Sequence, residues 1–93
     1  MIVYWPIGVL AEGNPFWGDT QHTYDSCTSW EEVEDCFRCW IFDYGMRFKK
    51  LLVDVCDLDK GYNNPEYRHT YELHLKLQLG DEVDREEWVK PYE

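Results

Sequence analysis

Cys36 and Cys39 stand three apart in the stretch SWEEVEDCFRCW, residues 29–40, and Cys27 and Cys56 flank it. Four thiolates would suit a structural zinc ion. Such sites usually join two short cysteine pairs, and here there is one. That pair also falls within a helical pattern and not in a turn. Cys36 lies beside the apolar positions, where a small buried hydrophobe is the simpler role. Thiol–disulfide exchange needs the first cysteine close to the N-terminus of a helix that directly follows a strand. Cys36 is about two turns in. No cofactor is expected, and a zinc-stabilised domain on Cys27, Cys36, Cys39 and Cys56 stands as an alternative.

Other chemistry finds less support. His22 sits in a long loop, while His69 and His74 point to opposite faces of one expected strand. No Ser or Cys is tied to a His by a nucleophile signature. Gly8, Gly13 and Gly18 match no phosphate-cradling pattern. The stretch DVCDLDKGYNNPE offers Asp54, Asp57, Asp59 and Gly61, but not in the order of a calcium-binding loop. Carboxylate pairs are so abundant that no single pair is informative. The expectation is a protein that is not an enzyme.

Charge is the dominant property. Nineteen Asp and Glu face nine Lys and Arg, for a net charge of −10 over 93 residues. Such a surface repels phosphate backbones and anionic lipid, which argues against direct nucleic-acid or membrane binding. It favours basic partners, and it also keeps a small protein soluble. The start MIVYWPIGVLAEGNP lacks a basic leader, and no stretch approaches the roughly 20 apolar residues of a membrane span. A cytoplasmic protein with reduced cysteines is expected.

The elements that must position these residues follow from periodicity. Residues 1–93 read as one domain. Met1 to Leu10 is rich in Ile, Val, Tyr and Trp and reads as a strand, with Pro6 demanding an edge or a bulge. Ala11 to Cys27 reads as a long loop. Thr28 or Ser29 caps a helix, each with a Glu three residues on, Glu31 or Glu32. Trp30, Val33, Phe37, Trp40, Ile41 and Tyr44 share its apolar face, and Gly45 ends it. Met46 to Leu58 reads as a second strand with Leu51, Val53 and Val55 on one face. From Tyr67 to Leu79 apolar and polar residues alternate, which predicts one long half-buried strand. In the tail DEVDREEWVKPYE, Asp84-x-x-Glu87 can cap a short helix. The order β-α-β-β, with that terminal helix as an option, predicts an α+β fold: a small antiparallel sheet with one amphipathic helix across it.

Acids concentrate in three places: Glu31, Glu32, Glu34 and Asp35 at the helix start; Asp54, Asp57 and Asp59; and Asp81, Glu82, Asp84, Glu86 and Glu87 in the tail. The helix dipole favours some of the first group but does not require four. Phe42 falls opposite the apolar stripe, either as a contact residue or packed under the long loop.

Size, acidity and the lack of catalytic residues make the chain similar to the small acidic inhibitors that phages carry against host defence, anti-CRISPR proteins and other DNA mimics. The resemblance is one of class and rests on no shared motif. It implies a stoichiometric inhibitor in the host bacterial cytoplasm. Its carboxylates would imitate DNA phosphates and block the DNA- or PAM-reading channel of a basic nucleic-acid-binding partner such as a CRISPR effector nuclease. The interface would draw on the three acidic groups and on Phe42. The rival reading is a non-catalytic adaptor or antitoxin-like regulatory module binding through an exposed strand.

Overall fold

The computed structural model describes residues 1–13, 18–61, 66, 68–79 and 90–92. Strand β1 is Ile2–Leu10, β2 is Thr20–His22, helix α1 is Trp30–Arg38, β3 is Phe48–Asp57, β4 is Arg68–Leu73 and β5 is Lys90–Pro91. They build one antiparallel sheet in the order β2-β1-β3-β4-β5, with α1 against one face. The fold is α+β. No helix among the described residues is long and apolar enough to cross a membrane.

Register explains which side chains meet. Pro6 lies opposite Val53 and Val53 opposite Tyr71, while Gly8 lies opposite Leu51 and Leu51 opposite Leu73. These rows face α1. The alternate row, Trp5–Asp54–Thr70, faces away. The near rows close over Val33, Phe37, Trp40 and Ile41 from the helical segment, all buried. Phe37 is fully buried, edge-on to Trp40 at 5.5 Å and to Phe48 at 6.4 Å. Burying one such ring contributes about 1.5–3 kcal/mol. Trp30 sits between Tyr4 and Tyr71, with centroids 5.0 and 5.8 Å away.

Gly8 serves this core by what it lacks. A Cβ there would stand 2.2 Å from Cε1 of Phe48, whose ring fills the space.

The helix begins as its capping signature requires. Ser29 accepts the Glu32 backbone N–H at 3.2 Å, and the Glu32 carboxylate accepts from the Thr28 backbone N–H at 2.8 Å and its hydroxyl at 3.1 Å. The helix does not stop at Arg38. Cys39–Asp43 continues it as a π-helical turn, closed by the Tyr44 N–H donating to the Cys39 carbonyl at 3.2 Å. Gly45, at φ 72°, then turns the chain away. The wider turn carries Tyr44 off the apolar stripe where the 3.6-residue period places it, and its side chain is exposed.

Four other expectations need correction. The loop from Ala11 to Cys27 contains β2, a polar three-residue strand with no periodicity to betray it. The strand expected from Tyr67 to Leu79 ends at Leu73, and Leu75–Leu79 forms a 3₁₀ turn. His74 causes this: its Nδ1 accepts the Lys76 N–H at 3.1 Å and its carbonyl accepts the Leu77 N–H at 3.2 Å. That local alternative outcompetes the ladder despite the alternating leucines. Of the edge and the bulge expected at Pro6, the edge is excluded because β1 lies between β2 and β3, while pairing with the β2 segment is irregular there, between Tyr4–Cys27 and Ile7–His22. The tail contributes β5, which pairs with Tyr71 and Glu72 of β4. The helix expected from Asp84 falls outside the described residues.

A candidate protein interface on the helix

The helical segment presents two faces. Val33, Phe37, Trp40 and Ile41 enter the core, which leaves Glu31, Asp35, Phe42, Asp43 and Tyr44 exposed and Glu34 half-buried. Asp35, Cys39 and Asp43 follow at four-residue intervals. The Cys39 thiol is pushed up from its ordinary pKa by desolvation and by its hydrogen bond with Asp43. Phe42 is 53 % exposed and Tyr44 60 % exposed. At that exposure Phe42 is not buried beneath the described part of the long loop. Two large aromatic rings thus project from a π-turn at the end of an acidic helix. Tyr44 was placed on the apolar face by periodicity, and only the π-turn, which has no sequence signature, brings it here.

The other expected interface residues are dispersed. Glu32 belongs to the helix cap. Asp54 lies on the opposite face of the sheet, where one oxygen accepts from Arg68 Nη2 at 2.8 Å and the other from the Thr70 hydroxyl at 2.6 Å. Asp57 lies 3.5 Å from the Met1 ammonium and accepts the Asp59 N–H at 3.1 Å. Asp59 also bonds the Met1 ammonium, whose pKa is raised chiefly by that bond. The trio Asp54, Asp57 and Asp59 is therefore split between two faces of β3 and its end. Asp81, Glu82, Asp84, Glu86 and Glu87 lie outside the described residues.

The four cysteines do not converge. Cys27 and Cys36 lie on the helix side of the sheet, while Cys56 pairs with Val3 and is buried on the other side. All four are free thiols, and no group of three or more His, Cys, Asp or Glu among the described residues could hold a metal ion. Burial, with Cys27 and Cys39 as lesser neighbours, pushes the Cys36 thiol up to about 12. The spacing that suggested zinc arises because Cys36 lines the core while Cys39 opens the π-turn.

No family model matches the chain, and neither the curated proteins nor the solved structures contain a match to it.

Proposed function

We propose that this chain is a non-catalytic binding protein whose acidic helix occupies the basic groove of a nucleic-acid-binding protein and excludes DNA from it. The observation that carries this reading is the pair Phe42 and Tyr44, both exposed at the end of a helix whose exposed residues include Asp35 and Asp43. Carboxylates on a stiff helix supply complementarity to Lys and Arg, and desolvated aromatics supply the central contacts that acids alone cannot. The net charge of −10 adds long-range attraction to a basic groove. A CRISPR effector nuclease is the specific partner that the class resemblance suggests. The adaptor alternative draws less from this fold, since the two outermost described strands, β2 and β5, offer only three and two residues for strand addition.

The test is capture of CRISPR effectors from bacterial lysate on immobilised protein, washed at rising salt or with duplex DNA. The reading predicts an effector released by both washes. It further predicts loss of capture for Glu31→Lys/Asp35→Lys/Asp43→Lys and for Phe42→Ala, with Glu32 left in place to keep the helix capped. A partner held equally in high salt, or indifferent to DNA and to these substitutions, would overturn it.

A further inference from the structure

On the face of the sheet away from α1, a second site adjoins Pro6. Along β1, alternate residues turn their backbone groups toward β2: the Tyr4 N–H donates to the Cys27 carbonyl at 2.9 Å and the Leu10 N–H to the Asp19 carbonyl at 2.8 Å. Pro6 shares that direction and has no N–H to donate. The neighbouring segment pairs with β1 at His22 opposite Ile7 and again at Cys27 opposite Tyr4. Between those points two residues of β1 face four of the neighbour. The surplus, residues 23–26, leaves the ladder as an arch, with Tyr24 at its tip fully exposed.

Beside the arch lies a cleft of about 190 Å³. Trp5, Pro6 and Ile7 line it from β1, His22 and Thr23 from the arch side, and Asp54 and Arg68 from the strands beyond. Its volume equals roughly six waters of bulk liquid, enough for one small substituted ring. Two of its lining residues each carry an anomalous polar atom. Trp5 Nε1 and Thr23 Oγ1 are closed to solvent and have no hydrogen-bond partner, and they are the two such side-chain atoms among the described residues. Buried polar groups are nearly always satisfied, so two exceptions at one cleft call for an explanation.

Two of the other lining side chains already have partners. Asp54 accepts from Arg68 and Thr70, and His22 Nε2 bonds the Thr20 hydroxyl at 2.8 Å. A larger hollow of about 430 Å³ between β4 and β5 shows the contrast. There His69 bonds the Glu66 carbonyl and Tyr92 bonds Lys50, and no solvent-closed side-chain polar atom lacks a partner.

The missing partners define a chemistry. An indole N–H only donates, and a hydroxyl can accept as well as donate. A carbonyl beside an N–H satisfies both. Charge adds a constraint: the Asp54 carboxylate is already paired with the Arg68 guanidinium, which disfavours a cation, and a chain of net charge −10 repels an anion. We propose that this cleft binds a small uncharged molecule through an amide edge, its carbonyl on Trp5 Nε1–H and its N–H on Thr23 Oγ1. Access requires the arch to lift, because both atoms are shut from solvent. The site is independent of the helix face and of the partner assigned to it.

The experiment follows the Trp5 indole N–H resonance in ¹⁵N-labelled protein, identified by its disappearance in Trp5→Phe. Uracil and nicotinamide are the probes. 1,3-Dimethyluracil, which lacks the N–H, and benzoate, which is charged, are the comparators. Either probe should move the Trp5 resonance saturably, with Kd on the order of 1 mM, as befits a fragment of this size. Thr23→Val should weaken binding about three- to tenfold, the worth of one neutral hydrogen bond, while Thr23→Ser retains it. The comparators should leave the resonance unmoved. No saturable movement with either probe would overturn the proposal, as would equal affinity for 1,3-dimethyluracil or equal binding by a folded Thr23→Val. Should Thr23→Val fail to fold, the 1,3-dimethyluracil comparison decides.

Discussion

Replacing Gly8 by Ala tests the account of the core directly. The added methyl would lie 2.2, 2.6 and 2.9 Å from Cε1, Cδ1 and Cζ of Phe48. Carbon atoms rest at about 3.5–4.0 Å, so the ring must retreat by more than about 1 Å. It has nowhere easy to go, since Trp40 stands 6.1 Å away and Phe37 6.4 Å away, both buried. Overpacking of this kind costs about 2–3 kcal/mol at the tight end of its range. Reduced freedom of the unfolded chain returns about 0.4–1 kcal/mol. The net loss of roughly 1–2.5 kcal/mol lowers Tm by about 5–20 °C for a domain this size. Urea and thermal unfolding followed by circular dichroism read it. The decisive measurement is a double-mutant cycle with Phe48→Leu, which removes the ring edge that the methyl strikes. In that background Gly8→Ala should cost close to nothing, so the coupling energy matches the single-mutant penalty. An equal cost in both backgrounds, or a Gly8→Ala protein as stable as the parent, would refute the steric argument.

Other perturbations have equally specific outcomes. Ser29→Ala removes the side-chain acceptor of the Glu32 N–H and should cost about 1 kcal/mol in urea unfolding. Phe42→Ala, by contrast, should leave stability within about 0.5 kcal/mol, because its ring is more than half exposed, and a larger loss would mean that it packs on the body. With its thiol at about 12 against an ordinary 9.0, Cys36 should alkylate at pH 8 roughly 10³-fold more slowly in the folded than in the unfolded chain, as mass spectrometry of iodoacetamide adducts will show. The folded state holds this proton more tightly. The associated stability is therefore complete below about pH 9 and declines as pH rises toward 12, and unfolding midpoints across that window should fall in the parent and less in Cys36→Ala.

Sequence patterning reached the elements whose signals are local. Ser29 with Glu32, the stripe from Trp30 to Ile41 and the apolar positions of β3 all agree with one another, and each is where the structure puts it. The failures have physical causes. Alternation from Tyr67 to Leu79 satisfied the strand template, yet a single imidazole acceptor on His74 diverts the backbone. β2 and β5 are three and two residues long, so they owe their existence to the partner strand and not to their own propensity. The helical acids and Phe42 were legible because they lie on one element. Tyr44 was not, because its exposure comes from the phase slip of the π-turn. Nor was the cleft, whose Trp5, Thr23, Asp54 and Arg68 meet only through strand register. Pro6 inside a strong strand pattern is the available clue: of the rim and the bulge it allows, the structure shows an irregularity, the interruption of pairing beside it.

Pro6 also bears on the fate of molecules that have not finished folding. Apart from Pro6, the stretch IVYWPIGVL is apolar, β-prone and uncharged, the composition from which steric zippers and fibrils grow. Until β2 and Cys27 have docked, one side of this strand is open to an identical strand from another molecule. An in-register stack needs a donor from every second residue, and Pro6 withholds one at the centre of the run. The residue beside the arch in the finished sheet is thus a gatekeeper against self-templating, set in an apolar segment that needs one.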